Sequence, residues 1–183
     1  MTLPMQPSAR TREQIDACAL FERDYSGLTS NFRIRDLIEA NGGSFEYIHA
    51  GDENQTDGLI VYPDDTFKVR LSAYSGPQRD TFIMAHELGH FVLHWQQFKE
   101  DNPGKEMRAP RSADPMDKLA CACNTQANWF AASFLMPEHQ FRETFERVGL
   151  ERTAKAFCLT EDAIKVRAED LGINIEENVP TGP

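Results

Sequence analysis

The chain has 183 residues, of which 40% are hydrophobic, 10% aromatic and 26% charged, enough for one domain with a buried core and too apolar for a disordered chain. Its 19 Lys and Arg stand against 29 Asp and Glu, a formal charge of -10, which repels phosphate backbones and argues against a direct nucleic-acid partner. No apolar run reaches the ~20 residues of a membrane span, and Met1–Pro7 lacks the basic-then-apolar layout of a secretory signal; a cytoplasmic protein with no membrane contact is expected. Cys18, Cys121, Cys123 and Cys158 are then expected as buried free thiols.

In chain order, residues 1–10 carry two prolines and little periodicity, which predicts a loose arm. A weak helical pattern runs from Thr11 to Phe21, and a better one from Phe32 to Ala40, stopped by Gly42-Gly43. Ser44–His49 alternates loosely, while Leu59–Tyr62 and Phe67–Ala73 are rich in branched and aromatic residues and predict strands. Pro63-Asp64-Asp65 between them supplies turn chemistry for a hairpin. From Gln78 to about Phe98 the period returns to that of a helix, with Phe82, Ala85, Leu88, Val92 and Trp95 forming an apolar stripe. Residues 99–117 are expected as a long polar loop, followed by a strong helix from about Asp117 to Leu135 and by two or three shorter ones. The order predicts an α+β single domain, a small twisted sheet (antiparallel or mixed) packed against a helical half. Residues 1–30 are expected as arm and helix, 31–173 as the main domain, and 174–183 as a flexible tail.

The informative segment is His86-Glu87-Leu88-Gly89-His90, an H-E-x-x-H pattern inside the first strong helix. Helical geometry projects His86 and His90 from one face, about 6 Å apart along the axis, where two neutral imidazoles can grip one Zn²⁺ at about 2.0–2.1 Å each. Glu87 then lies beside the metal, positioned to take a proton from the water that the metal activates. His94 repeats the four-residue step but lies about 12 Å along the axis from His86, too far to share one ion, so it is expected to play a structural or orienting part. A catalytic site needs a third protein ligand.

The stretch from Arg79-Asp80-Thr81-Phe82 through Ala85-His86-Glu87-Leu88-Gly89-His90 to His94 resembles the core motif of the ImmA/IrrE family of metallopeptidases. The second helix, Ala127-Asn128-Trp129-Phe130-Ala131-Ala132-Ser133-Phe134-Leu135-Met136-Pro137, is similar to that family's A-N-x-F-A-x-x-L-L-M-P motif. The resemblance extends loosely from about Phe32 to Gly172. It implies a gluzincin-like zinc peptidase whose third ligand is a glutamate four residues before the Asn of the A-N pair. That position here is Asn124, and position 126, acidic in many relatives, is Gln126. An amide oxygen can ligate zinc but brings no charge, so the third ligand stays open between Asn124, Cys121 from the preceding turn, and a loop carboxylate such as Glu106, Asp114 or Asp117. Tyr74 and His139 are candidate oxyanion donors, and Phe67–Ala73 is the candidate edge strand for an extended peptide, with an ordinary core strand as the equal alternative.

The expected function is a zinc-dependent, site-specific endopeptidase of regulatory type, with His86, His90 and Asn124 at the metal, Glu87 as base, and manganese as the alternative ion. The resemblance also implies a protein substrate, a separate helix-turn-helix repressor or antitoxin-like partner in transcription regulation or stress response. Two other readings compete. The replaced glutamate admits a catalytically impaired peptidase fold acting as a protein-interaction module. Thr153–Leu171 has the look of a helix-turn-helix, but its second helix opens on Glu161-Asp162, and residues 149–173 hold four basic and five acidic side chains, which disfavours DNA.

Overall fold

The structure, a computed structural model, describes residues 3–26, 33–49, 58–110 and 114–175. Phe32, residues 111–113 of the expected loop and most of the expected tail lie outside the described residues. Helices α1 (Arg12–Tyr25) and α2 (Ile34–Ala40) precede strands β1 (Gly43–Ile48), β2 (Gly58–Val61) and β3 (Phe67–Ser72). Helix α3 (Pro77–Asp101), strand β4 (Met107–Pro110) and helices α4 (Lys118–Leu135), α5 (Glu138–Phe157) and α6 (Glu161–Asp170) follow. The α+β single domain with a small mixed sheet is the expected architecture.

The sheet has the order β1-β3-β2-β4. Strands β2 and β3 form the predicted antiparallel hairpin, with Leu59 opposite Val69, while β1 runs parallel to β3. Two expectations fail here. The supposed loop contains the last turn of α3 and the strand β4, which pairs antiparallel with β2 through Leu59 and Ala109. Phe67–Ala73 is no edge strand but the core strand that was its equal alternative: β3 is flanked on both sides, and the ends of the sheet are β1 and β4. Its charged Arg70 is buried because it pairs with Glu46 at 2.9 Å, its register partner on β1. At Gly58 (φ +147) a Cβ would sit 2.2 Å from the Ala109 carbonyl oxygen, so only glycine lets β4 close on β2 there.

Helix α3 starts on Pro77, a good first-turn residue after the N-cap Gly76. Every residue from Ile83 to His90 is buried, so the helix is apolar or enclosed on all sides rather than along one stripe. One side meets the sheet, where Phe91 stacks on Phe67 with ring centroids 4.5 Å apart. The other meets α4, where Gly89 lets Phe130 and the Ala127 carbonyl approach. Helix α1 packs on α4 and puts Ile15 and Ala19 into the same core. A second core, built on Met136, Phe141, Phe145, Leu159 and Ile164, unites α5 and α6 with the end of α4. Helix α5 is kinked at Gly149, whose φ of 72° suits glycine.

The expected loose arm is also corrected. Met5 is buried, and the Ser8 backbone is tied at both its N–H and its carbonyl to the Gln126 side chain, at 2.9 and 2.8 Å. The four cysteines are free as expected, but only Cys123 is buried. Burial, with the charge of Asp117, pushes its thiol up to about 11.

Candidate metal centre

The H-E-x-x-H turn lies in the middle of α3, where the helix crosses α4. The Nε2 atoms of His86 and His90 are 3.1 Å apart, and the Asn124 Oδ1 on α4 lies 2.9 Å from His90 Nε2. Two ligands of one tetrahedral zinc, each about 2.0–2.1 Å from it, are separated by roughly 3.3 Å, so this spacing suits a shared ion. The ring of His86 is set by Asn128, one turn beyond Asn124, whose Oδ1 lies 2.8 Å from His86 Nδ1. This contact holds the His86 ring by Nδ1 and turns its Nε2 towards the cluster.

His90 is completely buried, and burial, then the neighbouring His86 and His94, hold it well below the ordinary imidazole range. It is therefore neutral, as a metal ligand must be. Its Nδ1 faces His94 Nδ1 at 3.2 Å, which accords with His94 acting through His90. His94 is itself lowered by burial, against the opposing bond from Gln126. Glu87 is buried with 0% exposure beside these histidines in the helix.

The donor set fits a divalent metal: lone pairs of two imidazoles and one amide face one another, and like-signed lone pairs at this distance are stabilised only by a cation or a proton. Among the described residues no three His, Cys, Asp or Glu side chains gather at one point; the third donor beside the imidazoles is the amide of Asn124. The alternative ligands are engaged elsewhere. Cys121 Sγ donates to the Asp114 carbonyl at 3.5 Å. Asp114 and Asp117 accept from the backbone N–H groups of Met116 and Ala120, and Glu106 pairs with Arg108 at 2.7 Å. Tyr74 meets His49 edge-on, and His139 is exposed in the first turn of α5.

A cleft of about 650 Å³ lies between α3, α4 and α6; the histidines do not line it, but Asn128, the partner of His86, does. Phe82, Trp129, Met136 and Val166 give it apolar lining, and Thr125, Asn128, Arg79 and Asp162 polar lining. Arg12 and Arg167, also in the lining, converge on Asp170. Sequence reading missed the parts played by Asn128, Gln126 and Ser8. The signal available for Asn128 was its four-residue step from Asn124, which sets both amides on one face of α4.

A buried H-E-x-x-H helix crossed by a donor-bearing helix, over a small mixed sheet, is the layout of a metallopeptidase core. The chain belongs to the ImmA/IrrE family: the Peptidase M78 model, described as the IrrE N-terminal-like domain, matches residues 49–169. It is similar to metallopeptidase ImmA of Bacillus subtilis (strain 168), with 29% identity over 99 residues, which are 53% of this chain and 52% of that protein. Its fold is similar to that of a Mycobacterium tuberculosis transcriptional regulator, with a TM-score of 0.57 and 20% identity over 85% of this chain and 46% of that one. The chain thus spans about half the length of the relatives it matches. Among the described residues no helix is long and apolar enough to cross a membrane.

Proposed function

We propose that the chain is a metal-dependent endopeptidase of regulatory type that acts in the cytoplasm on a protein partner, a helix-turn-helix repressor or antitoxin-like protein. The observation that carries this reading is the convergence of His86 Nε2, His90 Nε2 and Asn124 Oδ1 within 3.1 Å steps in a chain of a metallopeptidase family. His86, His90 and Asn124 would hold the metal, zinc first and manganese as the alternative. When bound, a divalent ion there supplies Lewis-acid polarisation of a carbonyl and activation of water. Glu87 is the general base, taking a proton on its carboxylate from the attacking water and returning it to the leaving amine. Asn128 keeps the His86 ring turned so that its Nε2 faces the cluster. The cleft beside Asn128 receives an apolar side chain next to the scissile bond. Strand β4, an end of the sheet packed on α3, pairs with the extended peptide.

The observation that favours a second reading is the chemistry of the third donor. Asn124 and Gln126 are both neutral amides, so the ligands contribute no charge to offset a bound dication, and affinity is reduced relative to a site with a carboxylate ligand. A weakened centre would leave a peptidase fold that binds its partner without cutting it.

The test is metal content and zinc affinity of the purified protein beside His86→Ala and Asn124→Ala, together with incubation with candidate helix-turn-helix repressors from the same genome. About one zinc per chain, lost in both variants, and a single metal-dependent cut in the repressor are expected. Repressor bound but intact with zinc or manganese present would leave the interaction module. No bound metal at saturating zinc would end the peptidase reading.

A further inference from the structure

The cleft between α3, α4 and α6 differs in charge from the chain that encloses it. Its lining holds the arginines Arg12, Arg79 and Arg167 and the aspartates Asp162 and Asp170, a local balance of +1 on a chain of formal charge -10. Most of these charges are already paired. Arg12 and Arg167 meet Asp170 at 2.5 and 3.0 Å, Arg12 also meets Asp16 at 3.2 Å, and Asp162 stands 3.7 Å from Lys165. Arg79, exposed in the first turn of α3, forms no ion pair among the described residues. It lies two turns before His86 on the same side of the helix, and the same cleft reaches Asn128, which holds His86 at 2.8 Å. The surface between is apolar and open: Phe82 and Trp129 are only partly buried, and Val166 is 65% exposed. Arg12, 4.9 Å above the Trp129 ring, fixes the indole side of the cleft.

We propose that this cleft selects a segment of the protein partner by two features at once: a large apolar side chain seated against Phe82, Trp129 and Val166, and an Asp or Glu carboxylate of the same segment paired with Arg79. Arg79 is then a specificity-determining residue. That the segment is a substrate rests on the peptidase reading above; its recognition does not, because neither contact involves the metal. A guanidinium fork matches a planar carboxylate bidentately. The carboxylate belongs to a side chain and not to a chain end, because the two enclosed cations, Arg12 and Arg167, are both taken by Asp170, while the unpaired one stands in the open, where a chain can run past. Arg79 and Phe82 are three residues apart on α3, about 5–6 Å between their Cβ atoms. In an extended segment that distance separates residues about two apart, which share one side of the strand. The acid excess of the rest of the chain repels such a segment, so the pairing at Arg79 sets register and choice of partner more than affinity.

The test is selection of a random dodecapeptide library, displayed on phage, by the full chain with and without zinc, followed by fluorescence anisotropy of synthetic peptides of the enriched sequence. The native chain is expected to enrich peptides with a large apolar residue and an Asp or Glu about two positions from it. Replacing that acid by its amide is expected to weaken binding about threefold in the native chain and not at all in Arg79→Gln. Arg79→Glu is expected to exchange the acidic preference for Lys or Arg at the same place, a reversal that a merely weakened fold would not produce. Val166→Glu is expected to remove the apolar preference. Amidation of the peptide's C-terminus is expected to change nothing. No enrichment, a preference unmoved by Arg79→Glu, or binding that needs a free C-terminus would overturn the proposal. The two readings fail separately. A chain that binds no zinc yet reverses its preference in Arg79→Glu would remove the peptidase and leave the selectivity of the cleft. A metal-dependent cut in a repressor, made equally well by native and Arg79→Glu chains, would leave the peptidase and overturn the role of Arg79.

Discussion

Gly89, inside the H-E-x-x-H turn, is a point of close approach between α3 and α4. A Cβ there would meet Phe130 Cδ1 at 3.1 Å, and the Ala127 carbonyl oxygen and Phe130 Cβ at 3.2 Å each, against the ~3.5–4.0 Å at which carbon contacts are most favourable. None of these neighbours yields easily. The Phe130 ring is fully buried and stacked on Phe134 with centroids 5.8 Å apart, and the carbonyl belongs to the backbone of α4. Gly89→Ala therefore adds about 1–3 kcal/mol of overpacking, offset by the ~1 kcal/mol that alanine gains over glycine in a helix interior. The net is a destabilisation of roughly 1 kcal/mol, which in a domain of this size lowers Tm by about 2–4 °C. The site should suffer more than the fold. Relief requires α3 and α4 to part by a few tenths of an ångström, and metal donors tolerate only about 0.2 Å. Urea unfolding of the metal-free protein and zinc titration check the two halves separately. A Gly89→Ala protein at least as stable as native, with unchanged zinc affinity, would refute the view that this contact sets the spacing of His90 and Asn124.

Three further outcomes follow from the geometry. Asn124→Glu should raise zinc affinity at least about tenfold, because tenfold is only ~1.4 kcal/mol and a unit pair at 4 Å is worth ~4 kcal/mol at an effective dielectric of 20; calorimetric titration reads it. Phe141→Ala empties the centre of the second core, where the ring is fully buried and stacks on Phe145, and should cost about 3–5 kcal/mol in denaturant unfolding. Burial alone would raise the Asp170 carboxyl, but the guanidiniums of Arg12 and Arg167 outweigh it and hold the group below its ordinary 3.8. A depressed carboxyl contributes stability above its unfolded value and loses it as pH falls through the folded one. Asp170→Asn should therefore be less stable than native at neutral pH, with the two converging in thermal melts below 3.8.

The parts of the fold that were legible in the sequence are those whose signal is local. The hairpin announced itself through two branched, aromatic runs about Pro63-Asp64-Asp65, and α3 and α4 through their long apolar patterns. Strand β4 could not be read that way. Met107 and Ala109 are buried and Arg108 exposed, a true alternation, but it lasts four residues, ends on a proline and sits among charges. The place of β3 within the sheet was hidden for another reason. Lys68 and Arg70 suggest a strand with one wet face, and only the ion pair to Glu46, a partner 24 residues earlier, explains the burial of Arg70. At the centre, the spacing of His86 and His90 was visible because one helix dictates it. Where Asn124, Asn128 and Gln126 would land depended on the register of α4 against α3, which packing at Gly89 decides. Ser8 left no trace, because its backbone rather than its side chain makes the contact.

The sheet also implies an order of assembly. Strands β2 and β3 are neighbours along the chain and can close over a tight turn, whereas β4 reaches β2 only after all of α3 has been laid across the sheet. Non-local pairings are the slow ones, since chain entropy must be spent before they return anything. Strand β4, at the end of the sheet, should thus be the last part of the sheet to dock and the first to lose hydrogen-exchange protection. One end of the sheet is thus held less firmly than the hairpin at its middle.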